Sequence, residues 1–404
     1  MEPLGIRGCT GESKALQKRL FMYHKATNLY GHTLKLTLLC LFLSSLFPTQ
    51  PLAAPISKEP ILTYQGKTYY AGDTIYGYKN YVKLVVGDQG VPLLLGIPHD
   101  GALKGKPEIP RTSKSGRDIR TKPFVFRLAK LFKKDTGLQP WIIINEINRQ
   151  RVDPNTYPNL ADKRYGKKSQ GRKTYDSYHA LMRLARNAML EQLGDKTGGL
   201  FIDIHGHGHR YADGHEEYFT SVIDGSQIAS DRIRQSEIGY GLSNAALEKS
   251  DAAIDKYAAY AGIYALAKAH PNVPFSALIR GPYSLGALLD AEGTPAVPGS
   301  AIPKLERDAE KYGLDAEGKP NRRPYYNGGF LIRKYGTAQK TVGSTLGFND
   351  NISALQIETP NITVRYNAVN MARSSHQYKR AIITYLNHWY GYSFKNSPYP
   401  YERF

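Results

Sequence analysis

Short apolar runs alternate along the chain with segments in which apolar residues recur every three to four positions. The short, β-branched runs indicate buried strands, and the three-to-four-residue recurrence indicates amphipathic helices. Their alternation predicts an α/β domain of three layers, with helices on both faces of a mainly parallel or mixed sheet. We predict strands within residues 81–97 and at 141–144, 199–206, 328–336 and 354–360. We predict helices at 124–134, 175–193, 243–269 and 371–390.

The amino-terminal segment has the pattern of a secretory signal. Basic residues precede a twelve-residue apolar run at 36–47, and the small residues Ala53 and Ala54 follow it. A run of this length is short for a membrane span, so we predict a signal peptide at 1–54, with Met22 as an alternative start. A retained membrane anchor is the alternative interpretation. Both cysteines of the chain lie in this segment, so the mature protein would have neither disulfides nor thiolate chemistry.

The amino-acid composition indicates which chemical class of partner to expect. The chain has 404 residues, with 41% hydrophobic and 22% charged residues, which excludes a disordered chain or a coiled coil. There are 54 Lys and Arg against 35 Asp and Glu, a formal charge of +19 that favours anionic partners. For a periplasmic or secreted protein we expect a carboxylate-bearing small molecule or peptide rather than nucleic acid, and no stable membrane span after signal cleavage. We predict one catalytic domain at 55–404, with a lid region at 271–325 that includes a Gly- and Pro-containing loop.

Polar motifs follow four of the predicted strands. In open α/β sheets, sites form outside the carboxyl ends of the strands, so motifs at these positions should meet at one edge. One motif of this kind would mean little, but four at the same edge indicate a site. The motifs are IPHDG at 97–101, NEINRQRVDPN at 145–155, DIHGHGH at 203–209 and QIETPNITVR at 356–365.

These motifs contain the residue types needed for metal-assisted hydrolysis. Without cysteine, zinc can be bound only by His, Asp and Glu, with one position left for water. His99 and His205 are candidate ligands, and Glu358 is a candidate general base. Arg149 and Arg151 could fix a substrate carboxylate or stabilise an oxyanion.

Two of these motifs leave alternatives open. Glu358 lies within an apolar strand, where a carboxylate needs a partner: a metal, a proton, or an ion pair with Arg333 or Arg365. In the HGHGH run, His207 and His209 are weaker ligand candidates than His205, because the glycines favour a turn after His205. Asp203 is a candidate partner for the second ring nitrogen of a ligand histidine.

The ordered set of motifs resembles the N-formylglutamate amidohydrolase family, whose relatives are the zinc carboxypeptidases and aspartoacylases. The matches run from about residue 95 to 370 in the family's order. They are Pro98-His99-Asp100-Gly101, Glu146-Ile147-Asn148-Arg149, Asp203-Ile204-His205, the segment from Gly328 to Gly336 that contains Arg333, and Gln356-Ile357-Glu358.

The resemblance implies a zinc-carboxypeptidase-like fold and one zinc ion held by His99 and His205. It implies Glu358 as general base and Asn148 and Arg149 as substrate-binding residues. We assign Arg149 to catalysis as well, and Arg151 and Arg333 to substrate binding.

The chain departs from the family pattern at the third metal ligand. Zinc carboxypeptidases place a Glu three residues after the first ligand His, and here Ala102 stands at that position. We place Glu146 slightly ahead of Asp100 as third ligand, with His207 as a further alternative.

The resulting expectation is an exported zinc-dependent amide hydrolase acting on an acylated amino acid or a peptide with a free carboxylate. The first alternative is an envelope metallocarboxypeptidase acting on peptidoglycan stem peptides. The second is a non-catalytic, basic envelope-binding protein with a decayed metal site.

Overall fold

A computed structural model describes residues 59–194, 198–209, 218–220, 227–229, 234–340 and 346–394. The predicted signal segment 1–54 lies outside this part of the chain. None of the described helices has the length and hydropathy needed to cross a membrane.

A mixed sheet of eight strands forms the centre of an α/β fold, as the alternating pattern predicts. Its strands in spatial order are β11, β10, β12, β7, β5, β6, β4 and β3. Two hairpins, β1–β2 and β8–β9, lie outside this sheet. The strands are β1 (Leu62–Tyr64), β2 (Lys67–Tyr69), β3 (Thr74–Tyr76), β4 (Val82–Val85), β5 (Leu93–Ile97), β6 (Trp141–Asn145), β7 (Gly199–His207), β8 (Tyr218–Thr220), β9 (Gln227–Ala229), β10 (Ser236–Gly239), β11 (Ala296–Val297) and β12 (Ile352–Pro360).

Helices cover both faces of the sheet. Helix α3 is the longest and begins at its cap Ser169, whose hydroxyl accepts the Arg172 backbone N–H. The α-helices are α1 (Thr121–Thr136), α2 (Pro158–Tyr165), α3 (Gln170–Leu193), α4 (Asn244–Leu247), α5 (Asp251–Ile254), α6 (Tyr264–Ala269), α7 (Phe275–Arg280), α8 (Leu285–Ala291), α9 (Ala309–Tyr312), α10 (Phe330–Tyr335) and α11 (Ala368–Tyr390). Short 3₁₀ helices span Tyr78–Asn80 and Asp255–Tyr260, and a π-helical turn spans Asn361–Arg365.

Side-chain alternation assigns helices to the two faces. Phe201 of β7 contacts Tyr335 of α10, with ring centroids 6.5 Å apart. Ser236 of β10 bonds Tyr378 of α11 on the opposite face. The core between these layers is apolar and fully buried, and both faces of the four central strands contribute to it.

Two predicted elements differ in the structure. The segment 243–269 is not one helix but α4, α5, a 3₁₀ helix and α6. One of the breaks comes at Gly262, whose N–H donates to Tyr240 O at 2.8 Å and whose carbonyl accepts Ala354 N–H at 3.0 Å. A Cβ at Gly262 would lie 2.4 Å from the Ala354 oxygen, so this close backbone approach requires glycine.

The predicted strand at 328–336 is instead helix α10. Its first N–H groups find side-chain acceptors, since Leu331 N donates to Asn155 Oδ1 at 2.9 Å and Gly329 N donates to Gln356 Oε1 at 3.1 Å. A six-residue buried helix and a buried strand are both short apolar runs, so periodicity does not separate them.

Strands β12, β7, β5 and β6 are neighbours and parallel, so their carboxyl ends share one edge of the sheet. The four polar motifs of the sequence begin within or directly after these strands. The fold therefore brings them to the same edge, as expected for a site in an open α/β sheet.

Candidate metal and substrate site

The carboxyl edge of the sheet opens into a cavity of about 530 Å³. This volume is within the usual range for small-ligand sites. The lining residues include the candidate site residues His99, Asp118, Arg149, His205 and Glu358.

Sheet register places three acidic or basic side chains in one row. Glu358 of β12 pairs with His205 of β7 on one side and with Glu237 of β10 on the other. Because paired residues on neighbouring strands point to the same face, the three side chains lie side by side. Asp203, two residues before His205, belongs to the same face.

His99 reaches this row from the turn after β5. Gly101 allows the turn, because a Cβ there would lie 2.4 Å from the Glu146 carbonyl carbon and from Ile147 O. Asn145 stabilises the turn by donating to Pro98 O at 2.9 Å. The His99 and His205 rings meet edge to face, with centroids 4.4 Å apart.

Asp118 completes a group that could hold a metal ion. It lies in the loop before α1, where its N–H is 3.3 Å from His99 O. Its Oδ2 atom lies 3.2 Å from Nδ1 of His99 and 3.2 Å from Nδ1 of His205. All three side chains are at least 95% buried. One candidate ligand atom from each lies within 4.8 Å of the others.

A buried carboxylate lies at hydrogen-bond distance from the outer ring nitrogen of each histidine, the Nε2 atom that faces away from Asp118. Nε2 of His99 is 2.7 Å from Asp153 Oδ1, and Nε2 of His205 is 2.7 Å from Asp203 Oδ2. This carboxylate–histidine pairing is the usual support of metal-ligating histidines, since it fixes the tautomer and turns the other nitrogen toward the ion. Both Nδ1 atoms here face Asp118.

The electrostatics of the group are strongly coupled. Burial alone would raise the pKa of Asp118, but the His99 and His205 imidazoles hold it well below its usual range. Burial alone would lower the pKa of His205, yet Asp203 and Asp118 hold it well above its ordinary value. The raised pKa favours the protonated form of His205 in the metal-free protein, so an ion bound at its Nδ1 would displace a proton.

Among the residues that the structure describes, no cationic side chain lies within hydrogen-bond distance of Glu358. Its Oε1 accepts Gln356 Nε2–H at 2.9 Å and lies 3.8 Å from His205 Nδ1. Burial, with repulsion from Asp118 and Glu237, raises its pKa to about 8. The alternative ion pairs do not form, because Arg333 donates to Tyr157 Oη and Arg365 donates to backbone carbonyls.

Arg149 lies against the candidate ligands. Its Nη1 donates to Asp118 Oδ1 at 3.0 Å, and its Nη2 donates to Asp153 Oδ2 at 3.4 Å. Burial lowers the pKa of Arg149, but Asp153 and Asp118 raise it above its ordinary value overall. The guanidinium is therefore a fixed positive charge at the wall of the cavity.

The structure brings Asp118 to the histidines where the sequence favoured Glu146. Both carboxylate oxygens of Glu146 are taken, by Lys83 at 2.9 Å and Lys122 at 2.8 Å, and Glu146 does not line the cavity. The alternative ligand Asp100 accepts the Lys122 backbone N–H at 2.8 Å and binds Arg117.

Three predicted substrate residues do not line the cavity. Arg151 is buried and donates to Ile109 O and Glu108. Asn148 accepts the Gln150 N–H at 2.9 Å, and Arg333 bonds Tyr157. Of the substrate-binding residues predicted after β6, Arg149 is therefore the one that lines the cavity.

Sequence reasoning missed four residues of this region. Asp118 and Arg117 lie in a Ser- and Gly-containing loop that carries no strand or helix signal. Asp153 is in a predicted motif but was not singled out, although an Asp four residues after Arg149 is a natural ion-pair partner. Glu237 lies in a short strand that the apolar pattern did not reveal.

Comparisons with known structures include two distant likenesses. No protein-family model matches the chain, and no curated protein matches it. The crystal structure of N-formylglutamate amidohydrolase from Ralstonia eutropha JMP134 has 10% identity and a TM-score of 0.38, covering 76% of this chain and 97% of that one. A candidate metallopeptidase from Shewanella denitrificans OS217 has 12% identity and a TM-score of 0.27, covering 83% of this chain and 85% of that one. At these scores neither likeness assigns a function.

Proposed function

We propose that this chain is a zinc-dependent hydrolase of amide bonds, of the N-formylglutamate amidohydrolase type. The observation that carries the proposal is the group of His99, Asp118 and His205, with a buried carboxylate behind each imidazole. Glu358 stands beside this group without a cationic partner at hydrogen-bond distance.

The donor set fits zinc. Two imidazole nitrogens and one carboxylate oxygen form a ligand set found in hydrolytic zinc sites, which keep a further position open. When bound, such an ion lowers the pKa of a water molecule and polarises the substrate carbonyl. Asp153 and Asp203 keep the Nδ1 lone pairs of the two histidines directed at the shared centre.

Glu358 is the proton carrier in this proposal. Its Oε1 accepts a proton from the attacking water and returns it to the amine nitrogen as the C–N bond breaks. The neighbouring Gln356 N–H holds the carboxylate in place. Burial and the neighbouring carboxylates raise the pKa of Glu358 to about 8, so without an ion the carboxyl holds a proton at neutral pH. A cation bound nearby would lower this pKa and free the carboxylate to act as the base.

We propose a substrate with a carboxylate near the scissile amide: an acylated amino acid or a peptide. Arg149 lines the cavity and can stabilise the oxyanion or face the carboxylate. Arg117 also lines it, with its side chain 30% exposed, and is the second guanidinium within reach. Arginine's planar fork matches a carboxylate in a way that lysine does not.

An adjoining basic cavity favours a peptide as the second candidate substrate. This cavity of about 410 Å³ shares Arg117 and the segment 206–208 with the first, and it adds Arg120 and Arg365. A longer acidic ligand could occupy both cavities, as an envelope carboxypeptidase acting on peptidoglycan stem peptides would require. With the predicted signal at 1–54, we propose a periplasmic or secreted location.

Metal analysis with a substrate panel tests the proposal. The purified chain should carry at least half an equivalent of zinc at His99, Asp118 and His205. It should hydrolyse N-formyl or N-acyl amino acids or short acidic peptides, lose activity on chelation, and regain it with zinc. A chain that binds the acidic peptides but hydrolyses none of the panel, with or without metal, would instead favour the non-catalytic binding protein.

A further inference from the structure

A second group of metal-binding side chains lies beside the first and shares no residue with it. It consists of His207 at the end of β7, His209 two residues later, and Glu237 on β10. One candidate ligand atom from each lies within 4.8 Å of the others. The amidohydrolase function proposed above uses none of these three side chains.

The sequence and the sheet register place these residues together. In the HGHGH run, His205 and His207 alternate with glycine on the strand, so they point to the same face. Glu237 joins that face because it pairs with Glu358, which pairs with His205. Beyond the end of β7, the His209 ring lies 4.3 Å from the His207 ring.

The geometry of the cluster is that of a prepared ligand set. His207 Nε2 lies 2.7 Å from Gln235 O, which makes it the protonated nitrogen, and the lone pair on Nδ1 faces the His209 backbone N–H at 3.5 Å, a weak contact that a metal ion would replace. His209 Nε2 lies 2.8 Å from Glu237 Oε1. Glu237 Oε2 accepts the Tyr326 backbone N–H at 2.7 Å, which orients the carboxylate.

Two of the three side chains in this cluster are buried. His207 is 4% exposed and Glu237 is 2% exposed. The Tyr326 ring stacks on His209, with centroids 5.4 Å apart and planes 9° apart. Polar groups in such surroundings require partners, and two imidazoles with one carboxylate are the set that divalent transition metals accept.

We propose that His207, His209 and Glu237 bind a second divalent transition-metal ion, with zinc or cobalt as the probe. For ligand bonds of about 2.0–2.1 Å, the His209–Glu237 contact must open by a few tenths of an ångström to admit the ion. His207 and Tyr326 line the main cavity, so this ion lies at its edge, next to the substrate space.

Metal stoichiometry tests the second site without reference to activity. The full chain is saturated with Co²⁺ or Zn²⁺, freed of excess ion by gel filtration, and analysed by mass spectrometry of the metal. We expect two ions per chain for the native sequence, and one each for Glu237→Gln and for His209→Asn. His99→Ala should also retain one ion, because it removes only the other site.

A surface histidine supplies the matched control. His376 is exposed on α11, so His376→Asn should keep two ions. Circular dichroism and the melting temperature establish whether each variant is folded. If either Glu237→Gln or His209→Asn fails to fold, the other still tests the second site. One ion at saturation in the native chain that is lost in His99→Ala, or two ions in both folded variants, would overturn the second site. The His99→Ala result separates that failure from a failure of the first site.

Discussion

The substitution Asp118→Asn tests the proposed ligand set. It preserves the size of the side chain and a carbonyl oxygen but removes the negative charge. Oδ2 of Asp118 faces both ligand nitrogens at 3.2 Å, and Oδ1 binds Arg149 at 3.0 Å. Asn retains the shape of these contacts, so the expected loss is of metal affinity rather than of fold.

The size of the loss follows from the position of Asp118. Removing an outer partner of a ligand histidine costs about 10–100-fold in metal affinity. Asp118 supplies the only negative charge among the three ligand atoms, so its removal should cost at least about 100-fold. At about 1.36 kcal/mol per tenfold change, this is at least about 2.7 kcal/mol. Asp203→Asn changes only the outer partner of His205, so its loss of zinc affinity should lie within about 10–100-fold.

The assay is competition with a zinc chelator of known affinity, at fixed pH. Glu146→Gln is the matched control, because it makes the same chemical change at the carboxylate that the sequence favoured. Its oxygens bind Lys83 and Lys122, so its zinc affinity should equal that of the native chain. Loss of zinc in Glu146→Gln with retention in Asp118→Asn would refute the assignment.

Three further outcomes are expected. Glu358→Gln should retain zinc and lower turnover by at least about 100-fold, as removal of a general base does. If metal analysis instead shows that the variant has lost zinc, Glu358 is a ligand. Arg149→Lys should lower kcat/KM for a carboxylate substrate by about 10–100-fold, which corresponds to the ~1.5–3 kcal/mol of a charge-assisted bond. If the native enzyme has the same kcat/KM for the acid and for its carboxamide analogue, no arginine binds the carboxylate. Because the pKa of His205 is raised, which favours its protonated form, zinc binding at pH 7 should release about one proton, and zinc affinity should fall as pH falls. Calorimetry in buffers of different ionisation enthalpy measures the proton release, and a count of zero contradicts the prediction.

The central strands were predictable because burial on both faces gives them continuous apolar runs. WIII at 141–144 and the run from Gly199 are examples, and both are buried throughout their apolar part. The broken helix at 243–269 was not predictable, because its interruption at Gly262 depends on contact with a strand about ninety residues away. Local propensity carries no information about such a contact.

The site was predictable where side chains follow strands and not where they lie on loops. His99, His205 and Glu358 meet because parallel strands end at one edge. Asp118 reaches them through a loop whose path no periodicity reveals, although its N–H contact with His99 O fixes it there. Glu146 follows a strand end as well, but two lysines from neighbouring elements bind it.

Anomalous diffraction at the zinc edge tests the central claim most directly. For crystals grown with zinc, we predict a peak between His99 Nδ1, His205 Nδ1 and Asp118 Oδ2, at bond lengths of about 2.0–2.1 Å. Asp153 and Asp203 should remain on the outer nitrogens of the two histidines. A zinc-saturated crystal without a peak at this position, and with Asp118 still bonded directly to both imidazoles, would contradict the account.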